Sequence, residues 1–172
     1  MIMRAAVFFA VAFVSISTAQ AVVVTTLPDG TSFPIPPNNE GTAGPRTIAP
    51  GITWSSEAPY SVYGWTGGYG FSANGSWSGL SMIGSNDGSS AMTIAFDTPV
   101  AGVGGFLNYA PGYGIATISA YNGTDLVEAL TLSFLTGGGT NSGEYLYFLE
   151  TASIITSFVL EGAYIGFANL KV

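Results

Sequence analysis

Short runs of β-branched and aromatic residues, each followed by a glycine, asparagine or proline turn signal, recur along most of this chain. Met92, Ile94 and Phe96 alternate with Thr93 and Ala95, which is the period-2 pattern of a half-buried strand. Comparable runs occupy residues 22–26, 103–109, 116–121, 126–134, 145–149, 154–160 and 164–172. Such short strands at spacings of roughly 8–12 residues, without helical periodicity, predict an all-β fold built as an antiparallel β-sandwich or jelly roll.

Two of the turns between these runs can be predicted from the residues they contain. Asn122-Gly123 lies between two β-like runs and predicts a hairpin with a type I′ turn, because that turn needs positive φ at both central positions. Asp97-Thr98-Pro99 predicts a turn that ends the run at 92–96. After the hairpin, the face expected to be buried carries Leu126, Leu130, Leu132 and Phe134.

The first 21 residues have the three parts of a secretory signal peptide. Arg4 precedes an apolar run at 5–16, and the small residues Ala19 and Ala21 follow it. The run is shorter than the roughly 20 residues that span a bilayer. We therefore expect cleavage before Val22, export from the cell, and a secreted protein with no stable membrane span after cleavage.

The segment after the signal peptide is rich in proline. Residues 27–50 carry Pro28, Pro34, Pro36, Pro37, Pro45 and Pro50. Because proline has no N–H to donate to a ladder, these residues suit an extended arm or an edge strand. We expect residues 22–50 to form a Pro-rich arm with the first strand and residues 51–172 to form the sandwich, the two making one folded unit.

The charge balance excludes several classes of partner. Cleavage before Val22 would leave Arg46 and Lys171 as the only cations against ten acidic residues, a formal charge of −8. Nucleic-acid binding is driven mainly by lysine and arginine that neutralise phosphates, and attachment to anionic lipid needs a polybasic segment. The acidic residues are dispersed singly, so we expect them to keep the domain soluble.

The residue types needed for most catalysis are absent. The sequence has no cysteine and no histidine, so it lacks the usual zinc ligands and the usual base of a nucleophilic triad. The stretch Gly75-Ser76-Trp77-Ser78-Gly79 does not place a serine at the centre of a nucleophile elbow. We therefore expect no catalytic residues, no transition-metal site and no cofactor.

Carboxylates leave two further possibilities open. A glycosidase needs two acids separated by roughly 5–10 Å, and the candidates are Glu128, Glu144, Glu150 and Glu161. Calcium prefers clustered oxygen ligands, and the closest approach to such a cluster is Asp87 with Asp97. Each of these residues also suits a solvated strand or turn, which is the simpler interpretation.

Aromatic residues suggest where a ligand could bind. Trp54, Trp65, Tyr69 and Trp77 have serine, asparagine and glycine around them, so their rings could hold the apolar face of a sugar. The alternative is that these rings fill the core of a small sandwich. Residues 64–88 contain many turn-forming residues, and binding residues gather on loops. We expect a binding surface, if one exists, at Trp65, Tyr69 and Trp77, and a neutral polysaccharide as its ligand because few charges lie nearby.

The last hundred or so residues also resemble a known family. The segments TGGYGFSANGSWSG, MTIAFDTPVAGVGGFLNYAPG, ATISAYNGTDLVEALTLSF, TGGGTNSGEYLYF and YIGFANLKV, in this order, resemble secreted bacterial proteins of the PEP-CTERM sorting class. The resemblance implies a β-sandwich exoprotein of exopolysaccharide-forming or biofilm bacteria. The family's membrane retention and sorting are not carried over to this chain, because residues 170–172 lack the Pro-Glu-Pro motif, apolar span and basic end of the family. The resemblance implies no charged role for Asn169, where related proteins often have aspartate.

Taken together, these features predict a secreted, non-enzymatic structural or adhesive protein of the extracellular matrix or cell surface. Its expected partners are polysaccharide or further copies of itself. A carbohydrate-binding module is the alternative, and a glycosidase-like enzyme is the third possibility.

Overall fold

A computed structural model describes residues 22–172, so the predicted signal peptide and its cleavage lie outside the described residues. The described chain forms sixteen short strands and one 3₁₀ turn at Ser72–Asn74. The strands are β1 Val22–Val24, β2 Ser32–Phe33, β3 Glu40–Gly41, β4 Arg46–Ala49, β5 Ile52–Ser56, β6 Val62–Trp65, β7 Tyr69–Gly70, β8 Ser76–Trp77, β9 Met82–Gly84, β10 Ala91–Val100, β11 Gly102–Asn108, β12 Thr117–Asn122, β13 Asp125–Thr131, β14 Glu144–Leu149, β15 Ile155–Glu161 and β16 Gly166–Lys171.

Two antiparallel sheets pack face to face, which confirms the predicted all-β sandwich. The eight-stranded sheet has the order β1-β14-β11-β16-β9-β6-β3, with β2 also paired to β16, and the six-stranded sheet has the order β13-β12-β15-β10-β5-β4. The main core between them is apolar and includes Trp54, Ile94, Leu107, Phe158 and Phe167. The jelly-roll connectivity stays a prediction.

The Pro-rich segment contributes short strands to both sheets. Strand β1 pairs with β14 and β2 with β16, while β3 and β4 form the outer edges of the two sheets. Ile35 and Ile48 from this segment lie in the main core, although prolines surround them. The segment is therefore packed against the sandwich, and all six of its prolines lie in the connections between its short strands.

Two turn predictions need correction. Asn122 pairs with Asp125, so the two-residue loop is Gly123-Thr124 rather than Asn122-Gly123. Only Gly123 of these residues has a positive φ, at 61°, which is the pattern of a type II′ turn rather than type I′. At 97–99 the chain does not turn. Strand β10 continues to Val100 through an irregularity in its pairing with β15, where Pro99 has no N–H to offer.

The predicted inward face of residues 126–134 was wrong at Leu126. Ala120 pairs with Glu128 and Tyr121 with Leu126, so Val127 is an extra residue in a β-bulge. A bulge reverses the alternation of side chains, and Leu126 therefore points outward with Tyr121 and is 57% exposed. Leu132 keeps the predicted side and is buried.

The outer face of the eight-stranded sheet is partly covered by a segment that we call the aromatic cap, residues 66–81. This segment contains β7, the 3₁₀ turn and β8, and it connects β6 to β9. Tyr69, Phe71 and Trp77 of the cap form a second core with Val62, Met82 and Ala168 of the sheet. Gly166 gives the cap room, because a Cβ there would lie 2.6 Å from Cζ of Phe71.

Candidate functional site

The structure does not bring the predicted aromatic residues together as an exposed platform. Trp54 is fully buried in the main core, Trp77 is fully buried in the second core, and Tyr69 is 9% exposed there. Trp65 is half-buried, and its indole N–H donates to the carbonyl of Gly68. The expectation of a binding surface made by Trp65, Tyr69 and Trp77 is corrected accordingly, and the core alternative describes their placement.

These rings are buried because the cap residues contact one another and also contact β11 and the segment before β14. Trp77 packs edge-on to Phe71, with ring centroids 4.9 Å apart, and stacks on Phe106 of β11 at 5.1 Å. Its indole N–H donates to the carbonyl of Ser142 at 2.7 Å. The glycine-rich sequence of the cap is typical of a loop, but tertiary packing makes it part of the core.

An aromatic groove lies beside the cap, on the part of the outer face that the cap leaves uncovered. We call it the tyrosine groove. It has a volume of about 490 Å³, and its lining residues are Ser32, Pro34, Tyr145, Tyr147, Asn169, Leu170 and Lys171. Strand β14 supplies both tyrosines: Phe148 of β14 belongs to the main core, and side chains alternate along a strand, so Tyr145 and Tyr147 point to the opposite face.

The two tyrosines of the groove are nearly parallel. Their ring centroids are 6.4 Å apart and their planes differ by 11°. Tyr145 is 43% exposed and Tyr147 is 5% exposed, so the first ring is accessible and the second is almost fully covered. Burial raises the pKa of Tyr147, and the neighbouring Tyr145 adds to the rise. The Tyr147 hydroxyl therefore stays protonated at neutral pH.

Polar groups surround these rings. Asn169 has a positive φ of 54°, and its side-chain amide donates to the Tyr145 hydroxyl at 3.1 Å. Lys171 pairs with Ser32 on one side and with Gly104 on the other. Gly104 of β11 pairs with both Tyr147 and Lys171, and it leaves room for the Tyr147 ring, since a Cβ there would lie 2.7 Å from that ring. The groove thus combines aromatic faces with amide, hydroxyl and ammonium groups.

Sequence reasoning missed this groove. The run at 145–149 was predicted as a strand, but both of its faces carry large apolar residues, so alternation does not show which face is open. The available signal was the two-residue spacing of Tyr145 and Tyr147, which puts both tyrosines on one face of the strand. That this face is the outer one follows only when Leu146 and Phe148 are known to face the core.

A second, smaller cavity lies at the other side of the cap. We call it the tyrosine cleft; its volume is about 270 Å³ and its lining residues are Gly70, Ser72, Ala110, Tyr113 and Tyr164. Tyr113 and Tyr164 are perpendicular, with ring centroids 5.6 Å apart. Tyr113 is 57% exposed. Two of the lining residues, Gly70 and Ser72, come from the predicted 64–88 region.

The candidate calcium ligands are not brought together. Asp87 precedes β10, and its Oδ1 accepts hydrogen bonds from the backbone and hydroxyl of Ser89 and the backbone of Ser90. These bonds hold the pKa of Asp87 below its ordinary value. Asp97 lies six residues into β10, about 20 Å along the strand from its start. In the described part of the chain, no group of three or more Asp or Glu side chains could hold a metal ion.

The four candidate glutamates lie on different strands or strand ends. Glu144 begins β14 and Glu150 follows its end, so six residues separate them along one strand. Glu161 ends β15 and Glu128 lies on the edge strand β13, both in the other sheet. Glu150 is buried, and its Oε1 has no hydrogen-bond partner among residues 22–172. The tyrosine groove and the tyrosine cleft are lined by none of these four side chains.

No family model, curated protein or solved structure matches this chain. Within residues 22–172, no helix has the length and apolar character needed to cross a membrane.

Proposed function

We propose that this domain is a non-enzymatic, extracellular binding module that attaches to neutral polysaccharide through the tyrosine groove and so serves as an adhesive component of a matrix or cell surface. The observation that carries the proposal is the exposed ring of Tyr145, nearly parallel to Tyr147 and hydrogen-bonded to Asn169. The extracellular setting rests on the predicted signal peptide and on the resemblance to bacterial exoproteins.

Sugar rings suit this arrangement because they have one apolar face and a rim of hydroxyls. A tyrosine ring likewise combines an apolar face with a polar handle. Tyr145 offers the exposed part of its ring, while Asn169 and Lys171 can exchange hydrogen bonds with the hydroxyls of the sugar. Both tyrosines stand on a paired strand, so little conformational entropy is lost when a ligand binds.

Charge favours a neutral ligand over a polyanion. The described residues carry ten acidic side chains against Arg46 and Lys171, and Arg46 is paired with Glu40. Lys171 is the one cationic side chain that lines the groove. A polyanion would meet net repulsion from the domain, whereas a neutral chain would meet none.

A single groove of this kind binds weakly. Each aromatic contact contributes on the order of 1 kcal/mol, so one site should hold its ligand in the millimolar range or slightly tighter. Many domains on one surface would raise the retention through multivalency. Weak individual sites with high avidity are appropriate for an adhesive protein.

The experiment is affinity electrophoresis of residues 22–172 in gels containing neutral β-glucan, galactan or xylan, with melting temperatures measured in parallel. Tyr145→Ala should lower the retardation constant about tenfold with an unchanged melt, because the ring is partly exposed on a well-paired strand. Tyr145→Phe should keep most of the retardation. Tyr60→Ala is the matched control, since Tyr60 is 75% exposed and outside the groove.

Two results would overturn the proposal. One is a parent protein that migrates freely in all three polysaccharides. The other is a Tyr145→Ala variant that is retarded as strongly as the parent and as Tyr60→Ala.

A further inference from the structure

We infer that the tyrosine cleft is a second carbohydrate site, so that one domain holds two polysaccharide segments and cross-links them. This inference rests on the proposed function of the tyrosine groove. The cleft shares the chemistry of the groove: an exposed tyrosine ring and a half-buried one lie beside a hydroxyl and backbone polar groups, with no charged side chain in the lining. Its volume of about 270 Å³ is at the small end for ligand pockets, which suits one neutral sugar ring.

Backbone strain is concentrated at the cleft. Six non-glycine residues of the described chain have positive φ, and three of them are asparagine, which tolerates that conformation. The other three are Ser72 at 53°, Ala163 at 42° and Tyr164 at 51°. Ser72 and Tyr164 line the cleft, and Ala163 is adjacent to Tyr164. Strain in residues other than asparagine and glycine clusters at binding sites, where it fixes side-chain directions.

The strained residues are held in place by the surrounding backbone. Ala163 donates its N–H to the carbonyl of Gly88 at 2.8 Å, and its own carbonyl accepts from Ala110 at 2.8 Å. The bond from Ala110 ties the turn before β16 to the segment that carries Tyr113, and the bond to Gly88 ties it to the segment before β10. The backbone that carries the two tyrosines is therefore held in place before any ligand arrives, which reduces the entropy lost on binding.

The cleft and the groove lie at opposite ends of β16. Tyr164 precedes this strand, and Asn169 and Lys171 lie near its end. A separation of five to seven residues at about 3.3 Å each places the two sites roughly 16–23 Å apart. The aromatic cap lies between them: its Gly70 and Ser72 line the cleft, while its Trp77 contacts the groove side through Phe106.

This separation predicts bridging. The two sites, separated by the cap, can each hold a different polysaccharide chain. A monomer with two sites can therefore cross-link polysaccharide chains into a network. The activity goes beyond attachment, since a protein with one site would coat polysaccharide without joining it.

The test compares retention with bridging in a protein whose monomeric state is established by light scattering. Particles coated with the neutral polysaccharide that retards the parent are mixed with the parent, Tyr113→Ala, Tyr145→Ala, the double variant and the control Tyr60→Ala. Parent and control should aggregate the particles. Each single variant should remain retarded in the gel within about tenfold of the parent, but should lose aggregation. The double variant should lose both properties.

The outcomes separate the two claims. A parent that is retarded but does not aggregate particles, or a Tyr113→Ala variant that aggregates them as well as the parent, overturns the second site and leaves the groove standing. A parent that is retarded by no polysaccharide overturns both. Tyr113→Ala should have the melting temperature of the parent, because the Tyr113 side chain is mostly exposed. Tyr113→Phe keeps the ring and should still aggregate the particles.

Discussion

The side-chain amide of Asn108 donates a hydrogen bond of 3.0 Å to the backbone carbonyl of Asn74 in a fully buried setting. The same amide group donates to the carbonyl of Ser142 at 2.8 Å, while its oxygen accepts from the N–H of Tyr109 at 2.8 Å. Asn108 therefore joins the 3₁₀ turn of the cap, the segment before β14 and the end of β11. This network fixes the cap, which separates the two tyrosine sites.

We predict that Asn108→Ala lowers the free energy of unfolding by about 2–4 kcal/mol, because it removes three bonds and leaves the buried N–H of Tyr109 without a partner. Urea unfolding followed by tryptophan fluorescence measures the change. Asn38→Ala is the control, since the Asn38 side chain is exposed and makes only a 3.5 Å hydrogen bond with Glu40, and this variant should stay within about 0.5 kcal/mol of the parent. Equal effects of the two substitutions would contradict a stabilising network at Asn108.

Residues after 91 could be predicted well because most of their strands are packed on one face. Alternation in 92–96 and in 116–121 shows the buried side directly, and strands β10 and β12 appear there. The bulge at Val127 escaped prediction, because an extra residue in a strand leaves no mark in composition. The turn type at Gly123 depends on the register in which β12 pairs with β13, and the sequence of the turn does not determine that register.

The cap and the tyrosine groove could not be predicted for a different reason. The eight-stranded sheet is covered on its inner face, and the cap covers part of its outer face. Alternation therefore fails there, because Val62 and Tyr63 are both buried although they point to opposite faces. Short glycine-rich strands such as β7 and β8 have no periodicity of their own, so their rings could not be assigned to core or surface from the sequence.

A comparison of Trp77 in the cap with Trp65 at the end of β6 tests this assignment. Trp77→Ala should lower the free energy of unfolding by about 3–5 kcal/mol, as expected for a fully buried aromatic residue. Trp65 is half-buried, and Trp65→Ala should lower it by about 1–2 kcal/mol. Trp77→Phe, which keeps a ring but loses the bond to Ser142, should fall between the two. Denaturant curves give these values, and a Trp77→Ala protein as stable as Trp65→Ala would show that the cap does not pack on the sheet.

The last prediction concerns pH. Burial raises the pKa of Tyr69 above its ordinary value, with Tyr164 adding to the rise, and the Tyr69 hydroxyl donates to the carbonyl of Ser85. Burial likewise raises the pKa of Tyr63, Tyr109 and Tyr147. Between pH 6 and 9 the chain has no histidine or cysteine to titrate, so the free energy of unfolding should stay level across about that range.

Above the ordinary tyrosine pKa of 10.0, the unfolded chain releases phenolic protons that the folded chain retains. The unfolded state then binds fewer protons, so stability present below pH 10 is lost as the pH rises, by up to about 1.4 kcal/mol per pH unit for each such group. Urea unfolding at fixed pH measures the slope. Tyr69→Phe should be less stable at pH 7, because the bond to Ser85 is gone, but should lose stability less steeply above pH 10. An alkaline slope unchanged in Tyr69→Phe would contradict the burial of this hydroxyl, and a decline between pH 6 and 9 would contradict the level stability expected there.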